Sequence, residues 1–304
     1  MEGSDLRQWD ELIPDALGLI FNNLSFQEVL TVVPRVCKSW GKAVAGPYCW
    51  QEIDIEEWSN HSEPENIHQM LRMLIMRSAG SLRKLCVSGL LDDNVFSFIA
   101  ENAHSLHTLK LPRSGIGNSV VEQVAGKLCT ITFLDLSYCG KIGACGLEAI
   151  GKNCKSLAGL RRNMHPLDLD GKISQNDEAL AIAATMPKLK HLEMAYLLID
   201  TTSALEIICN CPELEFLDLR GCWDVKLDDK YLKEKFHKLK VLGPHVLDHY
   251  ERRDWEDCSD YSDSFYDYES LDGIWDDDER MEGLELRFYQ EFDDDSGFGW
   301  PPSP

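Results

Sequence analysis

A Leu-x-x-Leu-x-Leu core returns along this chain at nearly constant spacing. Full copies are Leu106–Leu109–Leu111 and Leu214–Leu217–Leu219. Close variants are Leu82–Leu85–Val87, Ile131–Leu134–Leu136 and Leu189–Leu192–Met194. Two are weaker: Leu157–Leu160 has Arg162 in the third place, and Leu239–Leu242 runs into Gly243-Pro244. The starts are 24, 25, 26, 32, 25 and 25 residues apart, so only the unit from Leu157 is long, by about one loop. Between the cores lie segments with helical spacing, such as Val120-Val121-Glu-Gln-Val124-Ala125, Leu147-Glu-Ala149-Ile150 and Leu205-Glu-Ile207-Ile208. Each unit reads as strand, turn, helix. No such unit can bury its apolar face alone, so neighbours must stack.

The fold class expected is therefore α/β, a short solenoid of about seven strand-helix units with parallel strands over residues 67–247. A doubly wound sheet also alternates strand and helix. Its strands, however, are usually continuous apolar runs, and its units rarely keep one length.

Residues 9–55 are a different zone, dense in apolar residues and Trp. In Leu12-Ile-Pro-Asp-Ala-Leu17-Gly-Leu-Ile20-Phe21-Asn-Asn-Leu24, Pro14 suits a first helical turn and Asp15 suits the positive end of the helix dipole. The apolar positions cover more than one face, so this helix must be buried on two sides. Further helices are expected at 26–32 and 35–44. Three short helices make a poor core by themselves, which leaves apolar surface for a partner groove or for the solenoid of the same chain. Residues 1–8 read as an arm and 56–66, polar with Pro64, as a linker.

The net charge is −22, and residues 251–304 carry 19 Asp/Glu against 4 Arg. This balance argues against direct nucleic-acid binding and against adhesion to anionic membranes. The segment 248–304 is expected to be disordered, although its aromatics, among them Trp255, Tyr266, Trp275, Phe288 and Trp300, also suit binding of a basic partner. There are 11 Cys and no Cys-x-x-Cys pair, and Cys86, Cys129 and Cys209 lie in apolar runs. With no secretory signal at the start and no apolar run of about 18 residues, a reduced compartment, nucleus or cytoplasm, is expected.

Three blocks now stand in order: Leu12-Ile-Pro14…Leu17…Ile20-Phe21…Leu24, then Val36-Cys37-Lys38-Ser-Trp40, then Trp50. They resemble an F-box, with Ile13 where Leu is common. The repeats resemble the cysteine-containing leucine-rich class, best in Cys211-Pro-Glu-Leu214-Glu-Phe-Leu217-Asp-Leu219-Arg-Gly-Cys222. Together the resemblance is to plant F-box/leucine-rich-repeat proteins, a group in which some carry F-box/WD-40 names. No four-strand blade repeat accompanies it here. It implies a three-helix F-box joined to the solenoid, and a substrate receptor of a Skp-cullin-F-box ubiquitin ligase. A Skp-type adaptor would bind Leu12, Ile13, Pro14, Leu17, Ile20, Phe21, Leu24 and Val29, and would bring in cullin and RING subunits. Trp40 and Trp50 would close the module's own core and its joint to the repeats. The alternative is a repeat scaffold outside any ligase, whose N-terminal helices only cap the solenoid.

No catalytic set, cofactor or metal site is expected. Gly146…Gly151-Lys152-Asn153 lacks the closing Ser/Thr of a phosphate loop, and Asp168-Leu-Asp170 and Asp276-Asp277-Asp278 lack calcium-loop spacing. Cys209-x-Cys211 lacks zinc-ligand partners and reads as buried packing. Arg161-Arg162-Asn-Met-His165, at the irregular unit, is a candidate binding segment. Strand side chains alternate, so the residues beside the core leucines should form a concave stripe that holds a target protein. They are Lys84, Lys110, Phe133, Asp135, Arg161, His191, Glu193, Phe216, Asp218 and Arg220, with Tyr138, Tyr196 and Trp223 just beyond. Phe133 and Phe216 either meet the target or pack between adjacent strands.

Overall fold

The structure is a computed structural model that describes residues 11–165 and 174–245. Eight three-residue strands form one parallel sheet in chain order. They are β1 (Glu52–Asp54), β2 (Lys84–Cys86), β3 (Thr108–Lys110), β4 (Phe133–Asp135), β5 (Gly159–Arg161), β6 (His191–Glu193), β7 (Phe216–Asp218) and β8 (Lys240–Leu242). Consecutive pairing puts Ile53, Leu85, Leu109, Leu134, Leu160, Leu192, Leu217 and Val241 in one row. All but Val241 are buried. A parallel strand pair needs a crossover between its members, and here each crossover carries the helix of its unit.

The helices after the first strand are α5 (Glu56–Asn60), α6 (Pro64–Ser78), α7 (Asp93–Asn102), α8 (Asn118–Val124), α9 (Ala144–Asn153), α10 (Asn176–Thr185), α11 (Thr201–Asn210) and α12 (Asp229–Lys235). Their N-termini are tied from repeat to repeat. Asp93 accepts a hydrogen bond from Gly117 N–H (3.1 Å), and Asn176 from Asp200 N–H (2.9 Å). Asn118 accepts from both Gly143 N–H (2.9 Å) and Gly146 N–H (3.1 Å). Each of these side chains occupies orphan helix-end donors of the next unit.

Buried thiols add a second stitch. Cys139, Cys154, Cys211 and Cys222 donate to the carbonyls of Leu111, Leu128, Met186 and Met194 in the preceding unit, at 3.1–3.5 Å. Burial pushes Cys139, Cys154 and Cys211 up to about 11 and Cys222 to about 12, which keeps them protonated and unreactive. Cys129 and Cys209 differ from the expectation. Both are exposed, because they end helical segments on the outward side of the turn.

The N-terminal module holds α1 (Pro14–Phe21), α2 (Phe26–Thr31), α3 (Val33–Val36) and α4 (Lys38–Ala45), then a 3-10 turn at Pro47–Cys49. Ser25 and Glu28 form a reciprocal capping box that starts α2. The extended Cys37 divides the expected third helix between α3 and α4. Gly18 is the point where α1 crosses the 3-10 turn: a Cβ there would stand 2.7 Å from the Tyr48 carbonyl oxygen. Ala for Gly gains about 1 kcal/mol in an unobstructed helix. Here the clash is with backbone, so overpacking wins. Gly18→Ala is expected to destabilise the full chain by about 1–3 kcal/mol in denaturant unfolding. A net gain would mean that the crossing is looser than this.

Two expectations change. The stretch 56–66 is not a plain linker, since α5 and the first turn of α6 fill it. The sheet also has one strand more than the seven units counted. Trp50-x-x-Ile53-x-Ile55 repeats the register of Leu82–Leu85–Val87, 32 residues earlier, and α6 is its helix. The N-terminal arm, the acidic tail from 248 and the insertion at 166–173, which includes Asp168 and Asp170, lie outside the described residues.

Candidate protein-interaction surfaces

Trp50 joins the module to the repeats. It is buried, donates through Nε1 to Val44 O at 2.7 Å, and meets Phe26 edge-on at 6.3 Å. Arg77 of α6 lies 6.0 Å above its ring. Trp40 packs edge-on against Phe21, with centroids 5.1 Å apart. Both tryptophans thus close the module and its joint.

With that core filled, apolar side chains remain outside. Of the ten large hydrophobic residues exposed among the described residues, six lie between 13 and 36: Ile13, Leu19, Ile20, Leu24, Val32 and Val36. Ile13 and Leu19 are 65% and 71% exposed. Scattered single residues of this kind are ordinary, but six here fall within one stretch of 24 residues.

The residues expected on this surface divide. Ile13, Pro14, Ile20 and Leu24 are exposed and Leu12 is half-buried. Leu17, Phe21 and Val29 are a correction: all three are buried inside the module, and for Leu17 and Phe21 of α1 the cover comes from α4 and the 3-10 turn packed against that helix. They hold the surface in shape from below. Leu19, Val32 and Val36 were missed. The two-faced pattern of α1 signals surplus apolar surface but does not say which side the chain itself covers.

The face expected to be concave is built from two rungs of side chains, one on each side of the buried leucine row. The first runs Glu52, Lys84, Thr108, Phe133, Gly159, His191, Phe216, Lys240. The second includes Asp54, Lys110, Asp135, Arg161, Glu193 and Asp218. Lys84 pairs with Asp54 at 3.5 Å. Phe133 lies over Gly159, where any Cβ would meet its ring, and Arg161 sits 5.4 Å from the ring centroid. Phe216 stacks on His191 at 4.5 Å with the planes 7° apart, and Lys240 stands 5.9 Å from it. Both phenylalanines are half-buried and pack on a residue of the adjacent strand.

Arg161 is the hub of the second rung. It donates to Glu193 at 2.9 Å and stands 3.8 Å from Asp135. Glu193 also accepts from His191 Nε2 (2.6 Å) and Asn163 Nδ2 (3.2 Å). Burial pushes the Glu193 carboxyl up, but the hydrogen bonds from His191, Asn163 and Arg161 outweigh it and hold the group below the usual carboxylate range.

Asp135 and Asp218 depart from the expected stripe. They are buried and accept the backbone N–H two residues on, from Ser137 at 2.9 Å and Arg220 at 3.0 Å. They brace their own strands. Arg162, next to the hub, also departs from the candidate binding segment: it is wholly buried and pairs with Glu178 at 3.0 Å. His165 in the same segment stacks on Tyr138 at 4.2 Å, and Arg113 lies 5.6 Å from the Tyr138 ring on its own side. Arg113 was missed. It occupies the left-handed position that Gly89 and Gly221 take in other units, four residues past the core leucine.

The tempting phosphate-loop match is packing. Gly146 and Gly151 lie in α9, Gly146 N–H is taken by Asn118, and a Cβ at Gly151 would land on Thr185 of α10. Among the described residues no group of three His, Cys, Asp or Glu could hold a metal ion, and no helix is long and apolar enough to cross a membrane.

No protein-family model matches the sequence. Known proteins do. F-box protein FBW2 of Arabidopsis thaliana is 57% identical over 315 aligned residues, covering 100% of this chain and 99% of that protein. F-box protein SKIP19 of the same plant is 32% identical, over 86% of this chain and 87% of its own. A third Arabidopsis protein, whose name places it among F-box/LRR-repeat proteins, is 30% identical over 80% of this chain and 54% of its own.

Proposed function

This chain belongs to the F-box/leucine-rich-repeat proteins, and from that membership we propose that it is the target-recognition subunit of a ubiquitin ligase. In this reading the N-terminal module docks on a Skp-type adaptor, which carries the cullin and RING subunits, and the concave face holds the protein to be modified. The chain supplies no chemistry of its own. Its contribution is proximity, since tethering raises the local concentration of target lysines beside the transfer machinery. Action in the nucleus or cytoplasm goes with this proposal.

The observation that carries it is the exposed apolar set Ile13, Leu19, Ile20, Leu24, Val32 and Val36 on a module already joined to the repeats through Trp50. A mere cap would have consumed that surface against the solenoid. The test is co-expression of the full chain with and without a Skp-type adaptor, followed by size-exclusion chromatography. A stoichiometric complex and a gain in soluble yield are expected. A chain that is monodisperse alone and elutes apart from the adaptor would favour the scaffold reading instead.

A further inference from the structure

The concave face is not neutral in depth. From β3 to β8 its two rungs hold three acidic side chains, Asp135, Glu193 and Asp218, and these are sunk, 9%, 15% and 3% exposed. The cations paired to them stand outward: Arg161 is 37% exposed and Arg220, two residues past Asp218, is 44% exposed. The acids are recessed for a reason on the page. Asp135 and Asp218 each accept the backbone N–H two residues on, just past the end of their strand, and Glu193 is held by three donors. Lys110 of β3, Arg113 beyond it and Lys240 of β8 extend the outward positive line to both sides. Half-buried aromatic rings, Phe133, Tyr138 and Phe216, lie among these cations and make contacts with Arg161, Arg113 and Lys240. In a chain of net charge −22, this face presents cations and aromatic rings to a partner and keeps its carboxylates beneath.

We propose that the segment read by the concave face is an extended acidic stretch of the target. The proposal rests on the receptor reading only in calling that ligand a target. Neighbouring strands are about 4.8 Å apart, so Lys110 to Lys240 spans about 24 Å, the reach of about seven extended residues. Carboxylates would meet Lys110, Arg113, Arg161, Arg220 and Lys240 in turn, with apolar or aromatic side chains of the segment against Phe133 and Phe216. Whether the anions are Asp/Glu carboxylates or phosphoryl groups is the same chemistry to these cations, and the experiment separates the two.

The experiment uses the full chain bound to its adaptor and fluorescence anisotropy. The probes are a labelled nine-residue peptide alternating Glu and Tyr, the same peptide with Gln for Glu, and one with phosphoserine for Glu. A single-stranded oligonucleotide of equal charge is the fourth. The acidic peptide is expected to bind at least about tenfold more tightly than its Gln counterpart, and more weakly as salt rises. Lys110→Glu with Arg220→Glu is expected to remove that preference and leave adaptor affinity unchanged. Lys110→Gln with Lys240→Gln, which disturbs no sunk carboxylate, is expected to reduce it by a smaller factor. Tighter binding of the phosphoserine peptide would assign the phosphorylated form as the source. Equal binding of Glu and Gln peptides, binding of neither, or a preference for the oligonucleotide would overturn the proposal. Loss of the adaptor complex itself would count against the receptor reading and not against this one.

Discussion

Ile20→Asp combined with Leu24→Asp is expected to abolish capture of a Skp-type adaptor. Each side chain is 40% exposed and lies in the apolar cluster of the N-terminal module, so neither change opens a cavity. Exposed substitutions of this kind usually cost within about 0.5 kcal/mol of fold stability. A carboxylate placed in a desolvated apolar contact costs far more. Two central hot-spot losses of about 2–4 kcal/mol each predict a fall of at least about a hundredfold in affinity. Isothermal titration with purified adaptor measures it, and the far-ultraviolet spectrum and melting temperature of the variant should match the parent. Leu17→Ala is the wrong probe for the same question. Leu17 is fully buried, and its truncation would cost about 2–5 kcal/mol of folding energy, so a lost complex would report an unfolded module. If the exposed double variant titrates like the parent, this surface is not the adaptor interface.

The second large effect lies at Arg162. Every other unit from Val87 to Leu219 fills this position with an apolar residue. Here a guanidinium is buried, pairs with Glu178 at 3.0 and 3.4 Å, and donates to the carbonyls of Ile142 (2.7 Å) and Leu136 (3.4 Å). Gln175 donates to the same Glu178 carboxylate at 3.2 Å. Arg162→Leu restores the repeat pattern and yet leaves the buried Glu178 carboxylate without its cation and the Ile142 carbonyl without its donor, while the Leu136 carbonyl keeps the Cys139 N–H at 3.3 Å. The substitution is expected to cost about 3–5 kcal/mol. At about 2–4 °C per kcal/mol for a body of this size, the melting temperature should fall by roughly 6–20 °C. Arg162→Leu with Glu178→Val removes both charges together and puts Val where α7 and α8 carry Val95 and Val120. The double variant should regain most of the loss, since apolar replacement of a buried pair is often neutral. It should not regain all of it, because the Ile142 carbonyl still lacks its donor. Additive losses in the double variant would show that the two side chains do not act as a pair.

Legibility of the fold followed the strength of the repeat. The central leucine of each unit, from Leu85 to Leu217, could be assigned to the core because a three-residue strand with one inward position leaves no other register. The helices at 120, 147 and 205 followed from spacing alone. β1 was hidden because Trp50 and the two isoleucines 53 and 55 stand where leucines stand elsewhere, and because its helix begins after Pro64 at the far end of a polar stretch. The signal was present at the spacing of 32 that the long unit also shows.

For the interaction surfaces, residue order determined the membership of each face and little of its depth. Alternation put Asp135 and Asp218 beside Arg161 and Arg220 on the concave side. That the acids sink and the cations rise depends on backbone N–H groups offered by residues two positions along, which only the folded strand presents. In α1, periodicity announced more apolar residues than one face can bury. Which of them stay outside depended on the arrival of Tyr48 at Gly18 and of Trp40 at Phe21, contacts 30 and 19 residues away in sequence. Local pattern therefore determined the solenoid, because each unit repeats the same nearest-neighbour burial. The surfaces that partners would meet were decided by tertiary packing, because burial of one side chain is set by what another segment of the chain brings against it.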